Sequence, residues 1–291
     1  MSLKKYLDKL PSLKGKTILV TGANSGVGFS LSQHILEKEG KLVMMCRNQE
    51  RMNKAKETLL LKYPKGEIDT LIFDQSDIES INRACEVIKD SYPHFYALVF
   101  NAGMLPTNDD EGINGVPSSI WTNFVTLDYF SHQILTLFKD LPGNRRYVYQ
   151  GSLASRLHQK KVQSFKDIKL KMFDQYNISK NGVESLFYNL QSEADEHSLF
   201  LLCEPGVVST NLFNSNWFMK HIGRPAIKIL SHSPSKAALC ALRCLYDDSN
   251  NGDMFVPRGL FQIMGYPCKM TYKKKSYHPQ YLNYSRDLWN K

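Results

Sequence analysis

The chain has 291 residues, 42% hydrophobic and 22% charged, and its 37 Lys and Arg exceed its 28 Asp and Glu for a formal net charge of +9. That length suits one large α/β domain or two small ones with an ordinary buried core. No stretch reaches the ~18 apolar residues of a membrane-spanning helix. The opening MSLKKYLDKLPSLKG has no apolar signal core or small-residue cleavage site, so an intracellular, cytoplasmic protein is expected. The basic residues are scattered apart from Lys273, Lys274 and Lys275, with no zinc finger, RNA-recognition signature or aromatic-basic stripe. A solvated surface that also suits an anionic cofactor accounts for the charge, and no nucleic-acid partner is expected. The six cysteines form no CxxC pair, and Cys240 and Cys244 lack a nearby His or Cys to complete a zinc set. Reduced, mostly buried thiols and no metal are expected.

In chain order, Thr17 to Thr21 is a short apolar, β-branched run of the kind that fills a buried strand. Gly22, Ala23, Asn24, Ser25, Gly26, Val27 and Gly28 follow, and Val27, Leu31, Ile35 and Leu36 then fall at helical spacing. A nucleotide pyrophosphate needs this strand, glycine loop and helix. Glycines admit close backbone approach, and the N–H groups and dipole of the helix start point at the anion. Glycines also make plain turns, so the loop alone is a weak signal. Leu42 to Cys46 reads as a second strand, ended by Arg47 and Asn48. Folds that take NAD place an acid there for the ribose 2′-OH, whereas here the first acid is Glu50. Arg47 suits the 2′-phosphate of NADP, so NADP(H) is preferred over NAD(H); an Arg capping a surface loop is the alternative.

A charged helix over Gln49 to Tyr63 leads to a third strand near Ile68 to Phe73, which Asp74 and Gln75 end. Ser76 reads as the N-cap of a helix reaching Asp90, and a fourth strand, Phe95 to Phe100, ends in Asn101, Ala102 and Gly103. After a polar excursion, Ile120 to Leu141 has a long helical pattern, and a fifth strand, Tyr147 to Gln150, runs into Gly151 and Ser152. A basic insertion precedes a helix from Asp174 to Ala194, and a sixth strand, Leu199 to Cys203, ends in Glu204, Pro205 and Gly206. Ser233-Pro234-Ser235 starts a last helix through Cys244, before a strand near Met254 to Pro257. This alternation predicts a Rossmann-type doubly wound parallel sheet in three α/β/α layers, one domain spanning 1–291. Gly22, Arg47, Asp74 and Asn101 would then converge at the carboxyl ends of the strands, where such sheets bind ligands.

Tyr176 and Lys180, four apart, share a helix face. An ammonium beside a phenol lowers its pKa from ~10 and suits it to give a proton to a carbonyl or take one from an alcohol. The ordered set Thr21-Gly22-x-x-x-Gly26-x-Gly28, Asn101-Ala102-Gly103, Ser152, Tyr176-x-x-x-Lys180 and Pro205-Gly206 resembles the short-chain dehydrogenase/reductase family from about residue 15 to 260. The phrases TGANSGVG, MCRN and PGVVSTNL are similar to its retinol dehydrogenase-like branch, whose better known members use NADPH.

The resemblance implies roles. Tyr176 is the general acid/base, Lys180 tunes it and holds the nicotinamide ribose, and Ser152 bonds the substrate oxygen. Asn24, Ser25, Val27 and Arg47 face the adenosine phosphates, Asp74 and Gln75 contact the adenine, and Asn101, Ala102 and Gly103 line its ribose side. Pro205, Gly206, Val208 and Thr210 seat the nicotinamide and a neighbouring phosphate. The family's Asn on the long fourth helix, whose carbonyl holds a relay water near the Lys, aligns with Asp128; Asn123, five residues earlier, would shift the helix register. The segment 211–232 is expected as a substrate lid, whose Leu212, Phe213, Trp217, Phe218 and Met219 either suit a hydrophobic carbonyl or alcohol or simply pack the segment onto the core. The resemblance implies a homodimer or homotetramer through the two long helices after strands four and five, a surface that the basic, aromatic tail 269–291 could instead cover. A non-catalytic NADP-binding sensor or scaffold is the alternative function. A nucleotide-sugar epimerase is disfavoured, because it needs a longer C-terminal region and a differently spaced glycine loop.

Overall fold

The computed structural model describes residues 1–107, 110–156, 162–166, 171–208, 232–271 and 277–289. Its centre is β1 (Thr17–Thr21), four of whose five residues are buried. β1 pairs in parallel with β2 (Lys41–Cys46) on one side and β4 (Ala97–Phe100) on the other. Beyond β2 lies β3 (Ile68–Ile72); beyond β4 lie β5 (Arg145–Gln150), β6 (Ser198–Cys203) and β7 (Asp253–Pro257). With a last strand, β8 (Pro267–Thr271), the order is β3-β2-β1-β4-β5-β6-β7-β8, a doubly wound sheet whose direction of winding reverses between β1 and β4. One strand departs from the expected pattern. β8 (Pro267–Thr271) folds back antiparallel on β7 and closes the edge.

Helices cover both faces and divide the core in two. On one face lie α1 (Leu3–Leu7), α2 (Gly26–Glu37), α3 (Gln49–Lys62) and α8 (Pro234–Arg243), over Ile18, Val20, Met44, Val99 and Leu201. On the other lie α4 (Ile78–Ser91), α6 (Thr126–Phe138), α7 (Met172–Ser192) and α9 (Pro279–Trp289), over Leu19, Val43, Leu98, Phe100 and Tyr149. Adjacent residues of β1 thus face opposite layers, as a pleated strand buried on both sides requires. The N-cap of α4 is Asp77 rather than Ser76: its carboxylate accepts from Glu79 N, while Ser76 N and Oγ donate to Asp74. Ser233 caps α8 as expected, with Pro234 at the first helical position.

The long helix expected over Ile120 to Leu141 is not continuous. A short α5 (Ser118–Ile120) passes into a π-helical segment, Trp121–Val125, before α6 begins at Thr126. Such a segment carries one extra residue per turn and changes which side chains face the sheet. Within the tail, Pro279–Trp289 form α9, packed against α6, α7 and the π-helical segment. It was not legible as a helix in the sequence, and it lies on the face where the family resemblance implied a homodimer.

Candidate active site

The glycine loop follows β1 at the winding reversal. Gly22 (φ 66°) and Gly26 (φ 57°) occupy the left-handed region that favours glycine. A Cβ on Gly28 would lie 2.3 Å from Gly22 O and 2.5 Å from Asn101 Nδ2, so the start of α2 is pressed onto the loop. This cradle fits a pyrophosphate. Ser25 is the N-cap residue of α2 and makes no capping bond with its side chain. Asn24 and Ser25 line a cavity of about 350 Å³ with Phe29, Arg51, Lys54, Ala55 and Thr58. Arg47 is exposed at the end of β2, and Asn48 caps α3 by accepting from Arg51 N at 2.8 Å. Arg51 and Lys54 are two cations that sequence reasoning missed. Their spacing from Arg47, four and then three residues, was the available signal.

Thr21 and Asn101 lace the loop to β4. Thr21 Oγ1 accepts from Asn101 N and Ala102 N at 3.0 and 2.9 Å, and Asn101 Nδ2 donates to Thr21 O at 2.9 Å. Gly103 follows at the sheet end, where a Cβ would stand 3.2 Å from Asn123 Oδ1 and 3.8 Å from Lys180 Nζ. The Gln75 side chain is buried and donates to Thr122 O at 2.7 Å, so it braces the π-helical segment. Asp74 is tied into its own turn by Ser76 and Ser80.

β5 and α7 bring Ser152, Tyr176 and Lys180 together. Ser152 hydrogen-bonds the Tyr176 phenol, and Lys180 Nζ lies 5.9 Å from the Tyr176 ring centroid while donating to Gln150 O at 3.0 Å. Burial is the largest influence on both groups. It raises the Tyr176 pKa, with the Ser152 bond opposing, and brings Lys180 down to about 8 against the charges of Cys203 and Glu184. The expected lowering of the Tyr176 pKa is therefore not what the protein alone produces.

Asp128 does not stand by Lys180. It is fully buried on the opposite side of α6, where Trp289 Nε1 of α9 donates to Oδ2 at 3.3 Å and His132 lies 3.9 Å from Oδ1. Ser285 and Arg286 of α9 complete its surroundings, and burial raises its pKa. The residue beside the Tyr-Lys strip is Asn123. Its Oδ1 accepts from Met104 N at 2.8 Å, and its Nδ2 donates to Met104 O at 2.9 Å and to Ser179 Oγ at 3.1 Å. Five residues separate the two positions. Five residues of α-helix turn about 140°, and Asn123 in the π-helical segment faces Ser179 of α7 while Asp128 in α6 faces Trp289 of α9.

At the end of β6, Gly206 (φ 73°) turns the chain with Val207 N donating to Ile263 O at 2.8 Å. Pro205 O is bonded by His232, and Val208 is buried. Thr210 and the lid residues Leu212, Phe213, Trp217, Phe218 and Met219 lie outside the described residues. Among the described residues no cluster of His, Cys, Asp or Glu could hold a metal, and no helix is long and apolar enough to cross a membrane.

Residues 16–140 match the model of the short chain dehydrogenase family. The short-chain dehydrogenase/reductase drtF of Aspergillus calidoustus is 26% identical over 276 residues, covering 85% of this chain and 86% of its own. A solved protein of Mycobacterium paratuberculosis superposes with a TM-score of 0.75 at 19% identity, over 98% of this chain and 97% of that one. L-sorbose reductase from Gluconobacter frateurii, solved with NADPH and L-sorbose, gives 0.63 at 17% identity over 81% and 93%. A sheet of this strand order ending in the Ser152–Tyr176–Lys180 strip is thus similar in fold to these proteins, and residues 16–140 are similar in sequence to the short chain dehydrogenase family.

Proposed function

We propose that the protein is an NADP(H)-dependent oxidoreductase that interconverts a hydrophobic ketone or aldehyde and its alcohol. The observation that carries this reading is the hydrogen bond from Ser152 to the Tyr176 phenol, beside buried Lys180 and at the sheet end next to the glycine cradle. When bound, the nicotinamide supplies or accepts the hydride. Tyr176 gives its proton to the carbonyl oxygen as negative charge develops there, and Ser152 donates a hydrogen bond to the same oxygen. Lys180, protonated, favours the phenolate that remains. Asn123 holds the Met104 backbone and Ser179, and so fixes the segment and the helix turn on either side of Lys180.

Arg51 and Lys54 gather positive charge near Asn24 and Ser25, and β2 ends in exposed Arg47 with no acid, which supports NADP(H) over NAD(H). The likeness of TGANSGVG and MCRN to retinol dehydrogenase-like sequences points the same way. Phe173 is 60% exposed three residues before Tyr176, which supports an apolar substrate. Titration with NADPH and NADH by cofactor fluorescence tests the reading. Tight NADPH binding, NADH binding weaker by about tenfold or more, and loss of the preference in Arg47→Asp are expected. Equal affinities that Arg47→Asp leaves equal would contradict it.

A further inference from the structure

The chain leaves β6 through Glu204, Pro205, Gly206 and Val207, and the backbone of this turn is gripped from two sides. On one side stands His232, the residue before the N-cap of α8. Its ring Nε2 bonds Pro205 O, and its main-chain N donates to Val207 O at 3.1 Å. A parallel bridge between His232 and Val208 continues the pairing. On the other side stands Ile263, whose carbonyl accepts from Val207 N at 2.8 Å. A Cβ on Gly206 would lie 2.3 Å from the same carbonyl, so the turn is pressed directly onto it. The loop that carries Ile263 is itself fixed. Arg258 N donates to Tyr266 O at 2.8 Å and Gly259 N to Met264 O at 3.0 Å, and Gln262 is bonded by Arg156 of the turn after Ser152.

The chemistry of His232 makes this grip specific. A carbonyl oxygen only accepts, so the Nε2 that meets Pro205 O carries the ring proton. The residue is 6% exposed. Burial lowers its pKa, with the nearby charge of Lys236 adding and the Pro205 bond opposing, so the ring stays neutral. Pro205 lacks an N–H and Gly206 is left-handed, so neither extends the β6 ladder, and the bonds from His232 and Ile263 set the path of the chain here.

Gly151 N donates to Cys203 O at 2.8 Å, so the chain entering Ser152 and the chain entering Pro205 leave the sheet side by side. β6 lies three strands from β1, about 14 Å at ordinary strand spacing, so the turn borders the Ser152–Tyr176–Lys180 strip rather than the glycine cradle. We propose that His232 is a positioning residue for hydride transfer: its ring and main chain hold Pro205 and Val207 against Ile263 and thereby set the nicotinamide end of NADP(H) against Tyr176. The proposal rests on the NADP(H)-oxidoreductase reading of the site. Loss of the ring N–H frees Pro205 O and loosens the turn, while the adenosine end, held at the glycine cradle, still binds.

The test compares His232→Phe, which keeps an aromatic ring and lacks the N–H, with His232→Gln, whose amide keeps an N–H at the reach of Nε2. Steady-state kinetics use NADPH and a carbonyl that the wild type reduces, and cofactor fluorescence gives the NADPH affinity. His232→Phe should lower kcat by about tenfold or more with the Kd of NADPH within about threefold, and His232→Gln should recover kcat to within about threefold of the wild type. Wild-type kcat in His232→Phe, or a His232→Gln as slow as His232→Phe, overturns the proposal. Should His232→Phe fail to fold, His232→Asn takes its place, since its shorter amide falls short of Pro205 O, and the same outcomes decide. Hydrogen exchange of the backbone over 204–208, measured without cofactor, gives a readout independent of activity. Exchange faster by about tenfold in His232→Phe than in the wild type or His232→Gln is expected, and equal rates overturn the grip. Absence of turnover by the wild type with every carbonyl would contradict the redox reading, and the exchange comparison would still decide the grip.

Discussion

The carboxamide of Asn123 donates to the hydroxyl of Ser179, 3.1 Å away, on the residue that precedes Lys180. Asn123 lies in the π-helical turn and Asp128 in α6 beyond it, and the two positions that look interchangeable in the sequence face different helices. Asn123→Ala should lower kcat by about tenfold or more, a barrier change of about 1.4 kcal/mol, with little change in fold. Asp128→Asn should leave kcat within about twofold, since it touches α9 rather than Lys180. Steady-state kinetics of the two variants side by side check this, and the reverse ranking would return the role to Asp128.

Asp128 has a structural consequence instead. Trp289 donates to it and stacks edge-on to Tyr129, clasping α9 over α6. Trp289→Ala should destabilise the protein by about 2–4 kcal/mol through lost packing and a buried carboxylate left with fewer partners. Because α9 covers α6 and α7, the intact chain should elute as a monomer in light-scattering chromatography rather than as the homodimer those helices would form.

Lys180 carries a pH signature of its own. Its folded pKa, about 8, lies below the ordinary lysine value of 10.5. The folded state thus binds fewer protons between these values, and stability rises with pH across that window. Lys180→Met should remove this rise in chemical-denaturation measurements and abolish turnover.

Arg51 and Lys54 should each contribute to NADPH binding. Arg51→Ala and Lys54→Ala are expected to weaken it by about three- to tenfold while leaving NADH affinity unchanged. Isothermal titration with both cofactors separates this effect from a general loss of folding.

Much of the fold was legible because its signals are local. The run Thr17–Thr21, the Gly22–Gly28 loop and the spacing of Tyr176 and Lys180 each need only a few neighbouring residues to be read. Asn123 was visible but set aside, because α-helical spacing has no room for the extra residue of a π turn. Gln75 reads as a strand-end polar residue, yet its amide turns inward because Thr122 O there requires a donor. β8 and α9 escaped for another reason. PCKMT is short and begins with Pro, and α9 is held by Tyr281, Leu282 and Trp289 against helices distant in sequence, so tertiary packing supplies what local pattern does not.

The most direct measurement is NADPH consumption across a panel of hydrophobic ketones and aldehydes, run with the wild type and Tyr176→Phe. Turnover of at least one carbonyl by the wild type is expected, with Tyr176→Phe slower by about a hundredfold or more while still binding NADPH. A Tyr176→Phe enzyme as fast as the wild type, or a protein that binds NADPH and turns over no carbonyl, would contradict the assignment of Tyr176 as the proton donor.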